Sequence, residues 1–399
     1  MSTPLILTEG GPAQTVALTT AEYHALDELG IVTVTPTLDA GLFDIAAARK
    51  VGAVTVGSRQ IIVRPKITDL NRLVFMLGYS RNPEIWRDEP IQLDAADDLL
   101  PAIAEAFTRL AGEAVEQGLL QGYRTITDAL PVLRGRVLAG EQMTRHHGRP
   151  VPIAVRYDDF TVDIAENQLL TMATLRLLTV PRISNPARRR LQRLRRALAE
   201  VSVPPRGAPM PRWYPSRLNV RYHAALRLAE VVLAAESFEQ RIGDITVTGY
   251  MFDMWKIFED FVTTALSESL NRLGWQCQLQ APLPLDEQHR VGMQPDLLCW
   301  ATDARVAVVD AKYKAERPEG FPNADLYQML AYCTVLGLRE GHLIYAKGNE
   351  EGAVHSVRRA GITIFCRALD LGLDSDSLLG QVDELAARIA QTGEALPPN

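Results

Sequence analysis

Long apolar runs are missing from this chain, and so are the usual signs of export or membrane insertion. No apolar stretch approaches the roughly 20 residues that a membrane-spanning helix needs. Residues 1–13 have neither the basic start nor the apolar centre of a signal peptide. Cysteine is scarce, and its scattered positions give neither a disulfide framework nor a zinc pattern: Cys277, Cys299, Cys333 and Cys366. The simplest interpretation is a cytoplasmic protein with reduced cysteines.

Several catalytic motifs are also absent. The sequence has no Gly-x-x-x-x-Gly-Lys-Ser/Thr loop, so the chain itself is not expected to bind and hydrolyse a nucleoside triphosphate. No nucleophile elbow points to Ser-His-Asp catalysis. His146 and His147 form the one adjacent histidine pair, but they lie between glycine and proline residues, where exposure is favoured over metal binding.

Two acids in apolar, strand-like segments are the most informative feature. Asp296 and Asp310 stand fourteen positions apart, and Lys312 follows the second acid by two. Residues two apart on a strand face the same side, so Asp310 and Lys312 are expected to share a face. Phosphodiester cleavage uses a divalent cation, and Mg²⁺ prefers oxygen ligands. We therefore predict that Asp296, Asp310 and the Ala311 carbonyl bind Mg²⁺ while Lys312 holds or helps deprotonate the attacking water.

A strand end that merely reaches solvent is the alternative interpretation of Asp-x-Lys. The flanking segments favour the catalytic one. A helical pattern from Gly249 to Leu273 carries Glu259 at the edge of its apolar stripe, and a second helix places Gln328 and Tyr332 one turn apart. The order helix, three strands, helix, strand matches the αβββαβ core of PD-(D/E)XK nucleases. Glu259 is either a supporting catalytic residue or a solvated one, and core packing is favoured for Tyr332.

Further segments carry a resemblance to one family, and they span roughly residues 50 to 370. The chain resembles McrC, the nuclease subunit of the McrBC restriction system that attacks DNA with modified cytosines. The segments that carry the likeness are residues 62–67, 73–79, 133–137 (Leu-Arg-Gly-Arg-Val), 157–170, the helix around Trp255 to Val262, and the Pro-Asp and Asp-Ala-Lys pair.

The resemblance implies a division of labour. A partner AAA+ GTPase of the McrB kind recognises double-stranded DNA with modified cytosine, assembles as a ring and translocates, while the McrC-like subunit docks, stimulates GTP hydrolysis and cuts. Motif matching implies Asp296, Asp310 and Lys312 as catalytic residues, with Glu259 and Gln328 in support. Two alternatives stay open: a non-catalytic regulator or scaffold of the GTPase, and a stand-alone DNA repair nuclease.

Charge is distributed unevenly along the chain. The net charge of −6 argues against a generally basic nucleic-acid-binding surface. Residues 181–227, however, contain twelve arginines, no lysine and a single acid, Glu200, so this segment carries +11 and the rest of the chain −17. We predict that a helix in this segment contacts DNA phosphates through four of these arginines: Arg189, Arg190, Arg193 and Arg196. A solvated face, or pairing with acids of this chain or its partner, is the alternative.

Three domains are expected in an α/β (α+β) multidomain chain. Residues 1–140 form a mixed α/β N-terminal domain, which the resemblance assigns to contact with the GTPase ring. Residues 141–241 form a mainly helical, arginine-rich middle region, with a proline-rich loop or hinge at residues 203–211. Residues 242–399 form the PD-(D/E)XK nuclease domain, which ends in a helix from Ser377 to Ala390 and a frayed tail.

Overall fold

The computed structural model describes residues 4–67, 69–81, 83–88, 99–145, 147, 149–180, 183–205, 208–242, 245–302, 305–313, 323–346, 353–392 and 394–395. The chain divides into two compact units. The first unit combines residues 1–93 with residues 235–399, and the second contains residues 94–234.

Both helices and strands occur along the described chain. The helices are α1 (Thr20–Leu29), α2 (Leu70–Tyr79), α3 (Pro83–Asp88), α4 (Leu99–Val115), α5 (Ala139–Arg145), α6 (Ala165–Thr179), α7 (Asn185–Ala197), α8 (His223–Ala234), α9 (Met254–Arg272), α10 (Asn323–Leu336) and α11 (Ser375–Thr392), with a 3₁₀ turn at Val220–Tyr222. The strands are β1 (Leu5–Thr8), β2 (Gln14–Ala17), β3 (Val32–Pro36), β4 (Leu42–Ala47), β5 (Lys50–Val56), β6 (Arg59–Arg64), β7 (Gly122–Leu130), β8 (Arg136–Val137), β9 (Ile153–Thr161), β10 (Glu236–Ile242), β11 (Ile245–Asp253), β12 (Trp275–Leu279), β13 (Leu283–Pro284), β14 (Gly292–Met293), β15 (Leu297–Ala301), β16 (Arg305–Lys312), β17 (Glu340–Ala346), β18 (Val354–Ser356), β19 (Thr363–Leu369) and β20 (Glu394–Ala395).

The mixed α/β fold class predicted from the sequence is confirmed, but the domain division at residues 140 and 241 differs from the two units. The reason lies in one sheet of the first unit, with strand order β1-β6-β5-β11-β10. There β11 pairs antiparallel with β5, so Val247 lies opposite Val56 and Asp253 opposite Lys50. This pairing joins segments about two hundred residues apart, and local sequence patterns do not reveal such pairings.

A second sheet of the first unit has the strand order β12-β15-β16-β17-β19-β18, with β20 added on β16. Strand β16 lies near its centre and is buried along almost its full length, as expected of an apolar strand covered on both faces. Helix α9 packs against β12, β15 and β16, and α10 packs against β17. Gly341 allows the close approach of α10, since a Cβ there would lie 2.6 Å from Cys333 Sγ and from Met329 Sδ.

Helix α9 begins at Met254, not at Gly249 as the apolar spacing predicted. Residues 249–253 belong to β11 instead, because their backbone pairs with β5. The Asp253 side chain ends the strand and starts the helix: its Oδ1 accepts hydrogen bonds from the N–H groups of Trp255 (3.0 Å) and Lys256 (3.2 Å). An aspartate N-cap satisfies two amides that the first helical turn leaves without partners.

The second unit is built from helices and one small sheet. Helix α8 packs against α4 and α6, and α7 packs against α4 and α6. The strands β7, β9 and β8 form the arm sheet, in that order. The arm sheet and its flanking turns expose many large apolar side chains: Tyr123 (79%), Val132, Leu133, Val137, Val151 and Phe160 (57%).

Cys277 and Cys299 lie directly opposite each other on β12 and β15 and are joined by a disulfide. The expectation that all four cysteines are reduced was therefore wrong for this pair. Scattered sequence positions conceal a cross-strand pairing, because the contact depends on the register of two strands. Cys333 and Cys366 are buried thiols. Among the described helices, none is both long and apolar enough to cross a membrane.

The predictions for the closing helix, the C-terminal tail and the histidine pair have different outcomes. The closing helix, expected from Ser377 to Ala390, is α11. The tail was expected to be frayed, yet Glu394 and Ala395 pair with β16 as β20, while residues 396–399 lie outside the described residues. His147 is exposed, as expected, and His146 lies outside the described residues.

Candidate active site

Asp296, Asp310 and Lys312 come together at one end of the large sheet of the first unit. Asp296 directly precedes β15, and Asp310 and Lys312 close β16, the antiparallel neighbour of β15. All three are buried, with exposed fractions of 9%, 1% and 6%. Three buried ionisable side chains in an otherwise apolar sheet are costly unless they compensate one another or bind a cation.

The two aspartates are cross-tied by the backbone. Asp296 Oδ2 accepts a hydrogen bond from the Ala311 N–H at 2.7 Å, and Asp310 Oδ1 accepts one from the Asp296 N–H at 3.3 Å. Each carboxylate is thus held by the strand that carries the other. These two hydrogen bonds fix the position of each carboxylate relative to the other and restrict the rotation of both side chains.

Lys312 forms a buried ion pair with Asp310, whose Oδ2 lies against the lysine ammonium. Burial alone would lower the pKa of Lys312, but the charge of Asp310 and its hydrogen bond outweigh burial and raise that pKa. Lys312 is therefore charged at neutral pH. The ammonium also lies 6.0 Å from the centre of the Trp255 ring, and the Arg49 guanidinium lies 4.3 Å from the same ring.

Asp296 has a strongly perturbed acidity. Burial raises its pKa to about 8, with a further contribution from the negative charge of Asp310. The Ala311 N–H and the Lys312 charge act in the opposite direction and do not cancel this effect. Two close acids of which one prefers to keep its proton are an arrangement that a divalent cation would stabilise.

The donor atoms at this site fit Mg²⁺. The two carboxylates are oxygen donors, and the Lys312 ammonium is the one partner of Asp310 Oδ2 among the described residues. On a strand, the N–H and C=O of one residue point to the same edge, so the Ala311 carbonyl points to the edge where its N–H meets Asp296. Within the described residues, no cluster of three or more His, Cys, Asp or Glu side chains is placed to hold a metal. Two carboxylates with a carbonyl and water suit Mg²⁺, which usually keeps several waters.

Glu259 lies on α9 and is half-buried. Its negative charge is close enough to Asp296 to raise the pKa of that residue further. Glu259 Oε1 accepts a hydrogen bond from Gln280 Nε2 at 3.2 Å. Gln280, in the turn that follows β12, thus links the Glu259 carboxylate to the backbone of Asp296, since its N–H donates to the Asp296 carbonyl at 3.0 Å.

Gln328 reaches the site only through another residue. Its Nε2 donates to the Tyr332 hydroxyl at 2.7 Å, and this hydroxyl donates to the Gln294 carbonyl at 3.1 Å. Tyr332 is 1% exposed and belongs to the core, as predicted, but it also holds the residue two before Asp296. Burial raises the pKa of Tyr332, so its hydroxyl remains protonated.

Sequence reasoning missed several residues around these acids. Tyr313, next to Lys312, donates its hydroxyl to Glu9 Oε2 at 3.1 Å, and the Lys66 N–H donates to the same oxygen at 3.1 Å. The N-terminal segment therefore holds the end of the strand that carries Lys312. The missed contacts join distant segments, and no local pattern marks Glu9 for this role.

The arginine-rich helix α7 belongs to the second unit. Arg189, Arg193 and Arg196 are exposed, and within the described part of the chain none of them forms an ion pair. Their spacing of four and three residues places them on one face of α7. Arg190 differs, since its guanidinium pairs with Glu105 at 3.0 Å.

The second unit also holds an open cleft of about 670 Å³, bordered by the arm sheet and the start of α6. Its acid Asp163 is already engaged by Arg124, Gln168 and Ser202. Hydrogen bonding to these groups lowers the pKa of Asp163 against the effect of burial. The second acid of the cleft, Glu166, accepts a hydrogen bond from Asn219 Nδ2 at 3.0 Å.

A family model described as McrBC 5-methylcytosine restriction system component matches residues 45–346, well over half of the chain. The chain belongs to the McrBC family. This confirms the family predicted from the sequence motifs. The span matched by the McrBC model contains Asp296, Asp310, Lys312 and Glu259.

Solved structures from McrBC complexes are similar as well. One is a refined half-complex from the tetradecameric assembly of Thermococcus gammatolerans McrB AAA+ hexamers with bound McrC; a chain of it aligns at TM-score 0.57 and 16% identity over 98% of this chain and 99% of that chain. That likeness shows a shared fold. A cryo-EM structure of the Thermococcus gammatolerans McrBC complex aligns at TM-score 0.37 and 18% identity over 67% of this chain and 88% of that one, too low to support an argument. A search of curated proteins found no match.

Proposed function

We propose that this chain is the Mg²⁺-dependent endodeoxyribonuclease subunit of a McrBC-like restriction system. The observation that carries the proposal is the buried trio of Asp296, Asp310 and Lys312, with two cross-tied carboxylates and a charged lysine at one sheet end. The order α9, β12, β15, β16, α10, β17 around the trio supports a PD-(D/E)XK core.

Each residue of the site has a distinct role in this proposal. Mg²⁺, held by Asp296, Asp310 and the Ala311 carbonyl, would polarise the phosphate and activate water. Lys312 keeps its proton, so its ammonium orients the attacking water and stabilises charge on the phosphate instead of acting as a free base. Glu259 contributes negative charge beside Asp296, and Gln328 acts through Tyr332 on the segment that leads to Asp296.

The partner in this proposal is a McrB-like AAA+ GTPase. Membership of the McrBC family supports it, as does the fold shared with a chain from an assembly of McrB hexamers with bound McrC. We place the docking surface on the arm sheet, because its exposed aromatic and aliphatic side chains form the kind of apolar patch that marks protein interfaces. The family description supports double-stranded DNA with modified cytosine as the substrate.

DNA binding is assigned to the exposed arginines of α7. Arg189, Arg193 and Arg196 are available for phosphates, whereas Arg190 already pairs with Glu105. The proposed nuclease needs a basic surface for its substrate, and the rest of the chain is strongly acidic.

Replacement of Lys312 by alanine tests the proposed active site. We expect cleavage of cytosine-methylated plasmid, in the presence of the AAA+ partner, GTP and Mg²⁺, to fall by about a hundredfold or more, since a preorganised charge at the reacting phosphate is lost. Gel-based cleavage rates on methylated and unmethylated plasmid provide the measurement. Circular dichroism and co-purification with the partner are expected to stay unchanged.

Lys256→Ala is the matched control, because this lysine is exposed on α9 and pairs with Asp260. Its cleavage rate should equal that of the natural protein. Full cleavage by the Lys312→Ala variant would refute the active site. Cleavage without partner or GTP would indicate a stand-alone nuclease, and faster GTP turnover without any cleavage would indicate a regulator of the GTPase.

A further inference from the structure

Gln280 adopts a backbone conformation that glutamine rarely takes. Its φ is +48°, in the left-handed region that is unfavourable for an L-residue other than glycine, asparagine or aspartate. Gln280 stands at the turn that follows β12, where glycine would be free of strain. Strain of this kind persists where surrounding contacts fix the residue, and it is concentrated at functional sites.

Three hydrogen bonds fix Gln280, and all of them lead to the candidate active site. Its N–H donates to the Asp296 carbonyl at 3.0 Å, and its carbonyl accepts from Gln294 Nε2 at 2.9 Å. Its side-chain Nε2 donates to Glu259 Oε1 at 3.2 Å. One residue therefore holds the backbone of Asp296 and the carboxylate of Glu259 together.

The left-handed conformation explains how Gln280 contacts both the Asp296 backbone and the Glu259 carboxylate. The backbone turns back beside Asp296 and the side chain extends towards α9, where Glu259 lies. A glycine would preserve the turn and the two backbone hydrogen bonds, but it would leave Glu259 without this donor. If the turn is purely structural, the glycine variant should be more stable and otherwise unchanged. If the Gln280 side chain has a functional role, the glycine variant should bind Mg²⁺ less tightly.

We propose that Gln280 is a positioning residue that couples Glu259 to Asp296 and so shapes the divalent-cation site. The inference rests on the proposed function. Its side-chain amide is a neutral donor to the Glu259 carboxylate, and its backbone N–H holds the Asp296 carbonyl, so the two acids stay close to each other. Gln280 itself touches neither the cation nor the substrate in this scheme.

Gln280→Gly separates backbone strain from the side-chain contact. We expect this variant to be at least as stable as the natural protein in urea, because the strain is relieved. We expect its Mg²⁺ affinity to fall by about tenfold, which corresponds to 1.4 kcal/mol. Isothermal titration calorimetry with MgCl₂, in the absence of DNA, measures this affinity independently of activity, and the Mg²⁺ concentration for half-maximal cleavage should rise by the same factor.

Arg359→Gly is the matched control. Arg359 also has a positive φ, +62°, and is exposed in the turn before β19, at the sheet end opposite to Lys312. It should gain stability without any change in Mg²⁺ affinity. Gln280→Asn is a second variant, since asparagine tolerates the left-handed conformation and keeps an amide; its Mg²⁺ affinity should lie between those of the glycine variant and the natural protein.

A double-mutant cycle with Glu259→Gln tests the coupling itself. If Gln280 acts through Glu259, the effect of Gln280→Gly on Mg²⁺ affinity shrinks to about twofold or less in the Glu259→Gln background. Unchanged Mg²⁺ affinity in Gln280→Gly, equal losses in both backgrounds, or no Mg²⁺ binding by the natural protein would each overturn the proposal. Because the calorimetry needs no cleavage, failure of the proposed active site, seen as full cleavage by Lys312→Ala, remains distinguishable from failure of the role proposed for Gln280.

Discussion

The buried polar residues of the large sheet divide into two kinds. Asp296, Asp310 and Lys312 compensate the cost of one another's burial through hydrogen bonds and an ion pair. Their burial is therefore consistent with the proposed cation-binding site. His342, on the neighbouring strand β17, is 1% exposed and stacks on Phe365, and within the described part of the chain its Nδ1 has no hydrogen-bond partner. Its burial and the charge of Arg367 both disfavour the protonated imidazole.

His342 should therefore make the first unit sensitive to acid. Burial, with a smaller effect of Arg367, lowers its pKa to about 3 from 6.5. The unfolded chain binds a proton below pH 6.5 that the folded chain refuses, so stability is present above that pH and is lost as pH falls towards 3. The loss attributable to this group is about 1.4 kcal/mol per pH unit.

The comparison of natural protein with His342→Leu measures this effect, using urea unfolding at several pH values. Between pH 6.5 and pH 4, the free energy of unfolding of the leucine variant should fall by roughly 2–3 kcal/mol less than that of the natural protein. His289→Gln, which alters an exposed histidine, serves as control and should behave like the natural protein. Parallel pH profiles for all three proteins would show that His342 is not the acid-sensitive group.

At the scale of elements, local patterns identified several helices and strands but not their partners. Strand β16, helix α10 and helix α11 follow from apolar runs and spacing, and with them the positions of Asp310 and Lys312. The pairing of β5 with β11 does not, and for that reason residues 249–253 were mistaken for helix. Gln280 and Glu9 escaped notice because their roles depend on contacts with residues far along the chain.

One sequence motif becomes intelligible only on the arm sheet. In Leu133-Arg134-Gly135-Arg136-Val137, Gly135 has φ +67° and a Cβ there would lie 2.4 Å from the Arg156 carbonyl oxygen. Arg134 stacks on Tyr157 at 4.0 Å and pairs with Asp159. These contacts fix the turn that joins β7 to β8, so the arm sheet presents its apolar residues from a defined backbone.

The proposed docking role of the arm sheet gives a prediction for its exposed aromatic pair. Tyr123 and Phe160 lie opposite each other on β7 and β9, with ring centres 5.2 Å apart. Replacing both by threonine keeps strand propensity and removes the aromatic surface. We expect affinity for the AAA+ partner to fall by about thirtyfold or more, because aromatic side chains dominate interface energies.

Biolayer interferometry with immobilised partner measures this affinity in the presence of a non-hydrolysable GTP analogue. Tyr214→Thr is the control: this tyrosine is 72% exposed in the same unit but outside the arm sheet, so binding should be retained. Normal binding by the double variant, with loss in the control, would place the docking surface elsewhere.

At the scale of the whole molecule, charge separates the chain into unequal parts. Residues 181–227 carry +11 and the remainder −17. Within the segment, the structure distinguishes arginines by their contacts: Arg188 donates to the Leu178 and Val180 carbonyls, and Arg190 pairs with Glu105. Arg189, Arg193 and Arg196 are exposed, and their spacing on one face of α7 suits a row of phosphates.

Salt dependence of DNA binding measures the contribution of this row. Each phosphate contact releases counterions and adds about 0.9 to the slope of log affinity against log salt concentration. We therefore expect replacement of Arg189, Arg193 and Arg196 by glutamine to reduce that slope by roughly 2–3, with weaker binding at low salt. Fluorescence anisotropy with a methylated duplex across about 50 to 200 mM NaCl provides the data.

Arg190→Gln is the internal control, because its guanidinium already has a carboxylate partner. The slope of log affinity against log salt concentration should differ from that of the natural protein by much less than the roughly 0.9 expected of one phosphate contact. An unchanged slope in the triple variant would show that α7 is a solvated helical face, and the basic segment would then have to act through acids of the partner. An effect of Arg190→Gln equal to one third of the effect of the triple variant would instead indicate that net charge alone attracts DNA, since every arginine would then count alike and only a specific row of contacts distinguishes the exposed arginines from the paired one.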